Sequence, residues 1–246
     1  MAAVLLAVSA LGAGCSEPAK ATPPAPRGLL EALYDPGLAL EVLPVAAQGY
    51  TLSTKASEGL VAELSRLRPV SVLQAQPFPA GEDTRPGTLA RLAPGLAATS
   101  PHAVRVPPFL VGSEHAEPGI LGFANSRAGF VVIYMDRLDV TGARSAAPFE
   151  LPLAQDVERT VLVHEFGHLF GLVDCGIPAV VERSDPDSAC HSAASGSVMW
   201  AGIHHEWTLE QVLRDGAAPI GRFDQHDWED LRHAQGRFAE RRGHGG

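Results

Sequence analysis

Two histidines four residues apart flank a glutamate in the run TVLVHEFGHLFGLVDC at positions 160–175: His164, Glu165 and His168. On a helix, positions i and i+4 project from one face a turn apart. That is what two imidazoles need to hold a single Zn²⁺ at ~2.0–2.1 Å each. Glu165 leaves the helix in a different direction from His164, which suits it to act on water rather than to bind metal. Gly171, three residues after the second histidine, can adopt a positive φ and swing the chain sharply out of the helix. Such a turn would return Asp174 to the metal as third ligand; His191 and Asp187, in the loop that follows, are the alternatives. Two imidazoles and one carboxylate leave a fourth position open, which distinguishes a catalytic from a structural zinc site. The combination arises by chance in roughly 2 of 10,000 chains of this composition, so a coincidental pair of core histidines is the weaker reading.

A site of this kind needs a helix to carry it and a sheet to hold the helix. The spacing predicts that helix over 153–170, entered through Pro152, a favoured first helical residue, and closed by Gly171. Upstream, LALEVLPV at 38–45 reads as a strand. A helix follows at 54–68, with Thr54 or Ser57 as cap and Leu60, Val61, Leu64 and Leu67 at helical spacing. Pro69 stops it, and 70–73 is the next strand. Residues 77–103, rich in Pro, Gly and Ala, show the least pattern. Further apolar runs occupy 104–112, 119–124 and 129–135; the last, GFVVIYM, is β-branched and aromatic, the best strand candidate in the chain. Asn125–Gly129 separates the last two runs as a hairpin turn would. A final helix is predicted over 224–238, opened by Asp224 and carrying Trp228, Leu231 and His233. No internal repeat is visible, and the alternation describes one α/β domain.

With these residues in view the chain resembles the metzincin clan of zinc endopeptidases, whose signature is H-E-x-x-H-x-x-G-x-x-H followed downstream by a Met-containing turn. HEFGHLFGL is especially similar to the helix of the matrix-metalloprotease branch, and Ser197-Val198-Met199-Trp200 resembles the Met-turn. The resemblance is sharp over 160–175 and at Met199, and topological over 38–158 and 205–240. It implies an α/β, zincin-like fold: a twisted mixed sheet with one antiparallel edge strand (119–124, beside 129–135), an active-site helix, a Met-turn and a C-terminal helix. It implies Zn²⁺ held by His164, His168 and Asp174, with Glu165 as general base, Gly171 making the turn and Met199 beneath the metal. It also implies a protein or peptide substrate, added as a strand along 119–124. The chain departs from the clan at the third ligand, which is His in most members; Asp174 lowers the net charge of the site. Trp200, Ile203, His204, His205 and Trp207 are candidates for a pocket wall beside the Met-turn. His102, His115, His226, His233 and His244 show no ligand spacing and read as surface or core residues. Two other function classes fit the same motif: a zinc- or peptide-binding lipoprotein without turnover, and a zinc amidase acting on a cell-wall amide.

The rest of the chain bears on location. Its 246 residues are 46% hydrophobic and carry a net charge of -9, which excludes extensive disorder and a small disulfide scaffold. An acidic chain whose basic cluster (Arg237, Arg241, Arg242) sits at a fraying C-terminus has no footprint for nucleic acid. Residues 1–15, MAAVLLAVSALGAGC, form an uncharged apolar run too short to span a bilayer but suited to a signal peptide. The ending Leu11-Gly12-Ala13-Gly14-Cys15 resembles a bacterial lipoprotein cleavage box, which implies a lipidated Cys15 and an exported, membrane-anchored chain; ordinary secretion or a periplasmic location is the alternative. No Lys or Arg precedes the run, and the Leu lies one residue further from the Cys than is usual. A Pro/Ala-rich tether at 16–28 would then join anchor to a catalytic domain at 29–246. With Cys15 lipidated, Cys175 and Cys190 remain as a pair able to form a disulfide in an oxidising compartment.

Overall fold

A computed structural model of the chain describes residues 28–47, 49–138, 154–203 and 221–243. The signal segment with Cys15, most of the tether, Pro152, His204, His205, Trp207 and His244 lie outside these residues.

Three chain segments each supply two short strands in line. They are β1 (Ala39–Val42) with β2 (Val45–Ala46), β3 (Val70–Val72) with β4 (Gln76–Pro77), and β6 (Ala103–Val106) with β7 (Pro108–Val111). Pro44, Pro107 and Pro108 have no N–H to give to a ladder, so the strands expected at 38–45 and 104–112 are each broken in two. Bonds from Leu43 N to Val106 O (3.0 Å), Leu73 N to Val42 O (2.8 Å) and Gln76 N to Pro44 O (2.8 Å) stitch across the breaks. Adding β5 (Ala98–Thr99), β8 (Gly122–Asn125) and β9 (Phe130–Tyr134) gives the orders β3-β1-β6-β5 and β4-β2-β7-β9-β8. Every pairing is parallel except β5 on β6 and β8 on β9. The expected antiparallel edge strand is therefore β8, joined to β9 by the turn in which Asn125 Oδ1 accepts from Ala128 N at 2.9 Å and Gly129 takes φ +76°.

Strand β9 explains its own composition. Val131 and Ile133 enter the core beneath α2 (Thr54–Leu64), α4 (Ala154–Leu169) and α5 (Gln225–Gly243), whereas Phe130, Val132 and Tyr134 pack on the opposite face with Leu89 and Ala93 of α3 (Pro86–Leu96). A strand buried on both faces reads as a continuous apolar run. A short α1 (Leu29–Leu33) precedes β1 and adds Ala32 and Leu33 to the larger core.

Several boundaries differ from expectation. The cap of α2 is Ser53, whose Oγ accepts from Ala56 N at 3.1 Å, rather than Thr54 or Ser57, and the helix ends at Leu64. Helix α3 lies inside the segment that showed least pattern: Pro86 opens it, and Leu89 and Ala93, one turn apart, bury its inner face. Helix α5 is opened as expected by Asp224, which caps reciprocally with Asp227: Asp227 N donates to Asp224 Oδ1 (2.8 Å) and Asp224 N to Asp227 Oδ2 (3.0 Å). It continues past 238 to Gly243, with Arg242 paired to Asp35 and Arg241 over the Phe238 ring, so the basic cluster sits on a packed helix rather than a fraying end. A hairpin of β10 (Ser184–Asp185) and β11 (Ser188–Ser192) stands where the sequence read as a long loop.

Candidate metal centre

Helix α4 carries His164 and His168 on one face with their Nε2 atoms 3.0 Å apart. The third member of the cluster is His191 on β11: one nitrogen from each ring lies within 4.8 Å of the others. The His191 ring stacks on His164 (centroids 5.3 Å, 17°) and meets His168 edge-on (4.8 Å, 87°). His164 Nδ1 lies 2.6 Å from the Val198 carbonyl, which only accepts, so this nitrogen carries the proton and leaves Nε2 as the lone-pair nitrogen. His191 Nδ1 lies 2.9 Å from both the Ala189 carbonyl and Ser188 Oγ, and its Nε2 faces away from these contacts. Convergent imidazole nitrogens with carbonyl-held outer nitrogens form a donor set suited to zinc.

Asp174 is not part of this set, which corrects the expectation that the glycine turn would deliver it. Gly171 does take φ +75°, but Val173 (φ 54°) and Asp174 (φ 57°) are also left-handed, and the chain coils back on itself. Leu172 N donates to Gly167 O (3.1 Å), Cys175 N to Leu172 O (3.3 Å) and Ile177 N to Gly171 O (3.0 Å). The exposed Asp174 carboxylate is spent on the following loop, accepting from Ala179 N (2.7 Å) and Ser184 Oγ (3.0 Å). Asp187, the other alternative, is also exposed and stands outside the cluster. His191 was recognisable as a rival by residue type alone; what singles it out is its place beside a half-cystine. Cys175 and Cys190 are bonded as expected, their Cα atoms 4.9 Å apart.

Met199 is fully buried below α4, where its Sδ occupies the space a Cβ at Gly167 would need. The turn that presents it is held by Ser197, whose Oγ accepts from Met199 N (3.1 Å), while Met199 O accepts from Ser192 N (2.9 Å). This turn thus touches His164 through the Val198 carbonyl and bonds Ser192, the residue after His191.

Glu165 is 1% exposed, and burial pushes its carboxyl well above the usual carboxylate range. It lines a cleft of about 510 Å³ together with His168, His191, Cys190 and the residues Gly122, Phe123 and Ala124 of β8. A Cβ at Gly122 would lie 3.2 Å from Glu165 Oε1 and 2.7 Å from Val132 O, so this glycine lets the edge strand close on the glutamate. Trp200 and Ile203, expected to wall a pocket, are not among the lining residues: the Trp200 ring covers Gly202, and Ile203 is buried in the core. Conversely His115, read as an ordinary surface or core residue, stands exposed on the cleft rim beside Glu117. His102, His226 and His233 are exposed and outside the cluster. Among the described residues, no helix is long and apolar enough to cross a membrane.

The fold, a mixed sheet whose antiparallel edge strand lies beside the histidine-bearing helix, is zincin-like. No family model matches the chain, and no curated protein matches it in sequence. Among solved structures it is similar to the archaemetzincin of Methanopyrus kandleri, at 18% identity and a TM-score of 0.52, covering 86% of this chain and 99% of that one. The archaemetzincin of Archaeoglobus fulgidus, complexed with malonate, aligns at 16% identity and a TM-score of 0.45 over 78% of this chain and 99% of its own.

Proposed function

We propose that the protein is a zinc-dependent endopeptidase, exported and anchored through a lipid on Cys15. The observation that carries the enzymatic reading is that a buried glutamate lines one cleft beside an edge strand together with His168 and His191, two members of a convergent cluster that the buried His164 completes. His164, His168 and His191 would hold the ion. Bound there, zinc supplies Lewis-acid chemistry, polarising the scissile carbonyl and making water a better nucleophile. Glu165 takes the proton of the attacking water on its carboxylate and passes it to the nitrogen of the leaving amine. Its raised proton affinity suits a group that must both accept and return a proton, and the charge of a neighbouring dication draws that affinity back down. The outer edge of β8, unpaired among the described residues, would bind an extended peptide through backbone hydrogen bonds, aligning a substrate without fixing its sequence. Export is supported by the apolar segment ending at Cys15 and by the Cys175–Cys190 bond, which belongs to an oxidising compartment.

The test is cleavage of an unstructured protein such as casein by the full chain, refolded oxidised with zinc. Cleavage abolished both by a chelator and by Glu165→Ala supports the reading. Zinc bound at one per chain without any cleavage of casein or of a random peptide library refutes it in favour of a binding protein.

A further inference from the structure

The imidazoles reach the cluster by two routes, two of them along α4 and one along β11. The routes are joined covalently. Cys175 follows the Gly171 turn at the end of α4, Cys190 immediately precedes His191, and the two are bonded. Cys190 holds φ 66°, a backbone that a non-glycine residue keeps only when its surroundings fix it. On its other side His191 is followed by Ser192, bonded to Met199 O. The base of the hairpin is held by Ala193 N on Arg183 O (2.9 Å) and by the ion pairs of Arg183 with Asp227 and Asp230, but these lie away from Cys190, and the ladder itself is short. The β10–β11 hairpin pairs only Ser184 with Ser192 and Asp185 with Ser188, with an irregularity between them, and a two-stranded hairpin is marginal alone. Asp174 braces the base of the same hairpin through Ser184 Oγ. The residue at the position where a ligand was expected in sequence therefore supports the element that carries the ligand in space.

We propose that the Cys175–Cys190 disulfide is a positioning element of the metal centre: it fixes His191 against His164 and His168, so the oxidised chain binds zinc more tightly than the same chain without the bond. This rests on the reading of the cluster as a zinc site. Opening the bond takes two electrons and two protons from a dithiol, which ends as its own cyclic disulfide and leaves two thiols. The hairpin then keeps its hydrogen bonds and the ion pairs at its base but loses its covalent tie to the end of α4, and a weaker centre follows.

The experiment compares four full-length proteins: unaltered, Cys175→Ser/Cys190→Ser, His191→Ala, and the triple variant. Zinc affinity is read by competition with a chromophoric chelator, and geometry by the visible absorption of the Co²⁺-substituted site. The double-serine protein is expected to bind zinc about 10- to 100-fold more weakly, the range typical of lost outer-shell support, with an altered Co²⁺ spectrum. In the His191→Ala background, removing the disulfide is expected to cost nothing further, because no ligand remains to be positioned. Unchanged affinity and spectrum in the double-serine protein overturn the proposal, and so does an equal loss in both backgrounds, which marks a general staple. Should the double-serine chain not fold, the folded zinc-free protein is reduced with dithiothreitol, capped with iodoacetamide, checked by near-UV circular dichroism and titrated; the same results decide. Failure of the unaltered protein to bind zinc overturns the zinc reading itself, and is distinguishable from a failure confined to the disulfide.

Discussion

Gly167 and Met199 share one space: the sulfur of Met199 stands where a side chain on Gly167 would begin, between the two helix histidines. The second variable position of the HEFGH run is therefore fixed by a residue over thirty positions away. Gly167→Ala should destabilise the protein by about 1–3 kcal/mol, the usual cost of overpacking a buried site, and weaken zinc binding with it. Urea unfolding checks this, and adding Met199→Ala should recover part of the loss; no recovery would place the strain elsewhere.

Glu165→Gln keeps the shape of the cleft floor and removes the group that moves the proton. Hydrolysis should fall by about 10²–10⁴-fold, the range for losing a general base, while the zinc content stays at one per chain. Metal analysis alongside a cleavage assay separates this from loss of the site.

His191→Ala and Asp174→Asn should part company. The first removes a member of the cluster and is expected to weaken zinc binding by at least about tenfold, on the scale by which even supporting residues act. The second removes only the charge of the group that braces the hairpin through Ala179 and Ser184, keeps an acceptor oxygen there, and is expected to weaken zinc binding far less than the first. Calorimetric zinc titration reads both, and the reverse order would restore Asp174 as a ligand.

Asp227 gives a pH signature. Burial, with Asp224 beside it, raises its carboxyl from 3.8 to about 6, against the pull of Arg183, which Asp230 also holds at 2.6 Å. A carboxyl with a raised folded pKa contributes stability that is full below about pH 4 and is lost as pH rises through about 6. The stability of the unaltered protein relative to Asp227→Asn should therefore fall across that window, by at most ~3 kcal/mol for a shift of this size. Urea unfolding of both proteins at pH 4, 5, 6 and 7 gives the difference; a flat difference would show that the ion pair with Arg183 keeps Asp227 charged throughout.

Cys15→Ser should abolish lipid attachment and leave the chain unanchored. Metabolic labelling with radioactive palmitate and fractionation of membranes check this, and equal labelling of both proteins would exclude Cys15 as the acceptor.

How much of this was legible depended on whether the controlling contact was local. The α4 motif, the Gly171 turn and the Met-turn declare themselves through residue spacing, because helical periodicity and a required positive φ are properties of a few consecutive residues. The double burial of β9 was equally plain in FVVIY. The third imidazole was not, because its approach depends on a bond between residues 15 apart and on a left-handed coil that includes Val173, a β-branched residue that disfavours it. Helix α3 was missed for a related reason: Pro86 and Pro94 read as breakers, yet Pro86 opens the helix, where a missing N–H costs least, and Pro94 falls in its last turn, with little helix left to break. The cleft's rim, including His115, is set by how the sheet twists, and no sequence window contains that.

The bond between Cys175 and Cys190 closes a covalent ring, and that ring includes the most exposed apolar residues of the described chain, Val180 and Val181. Under the proposed activity the protein would work among copies of itself and among other proteases, and an exposed loop next to the cleft is the first place to be nicked. A cut anywhere within the ring leaves both new ends attached through sulfur. The nicked molecule would migrate as one chain until reduced, with the strand bearing His191 still tethered to the helix bearing His164 and His168. The bridge thus makes the site tolerant of the damage its own chemistry inflicts.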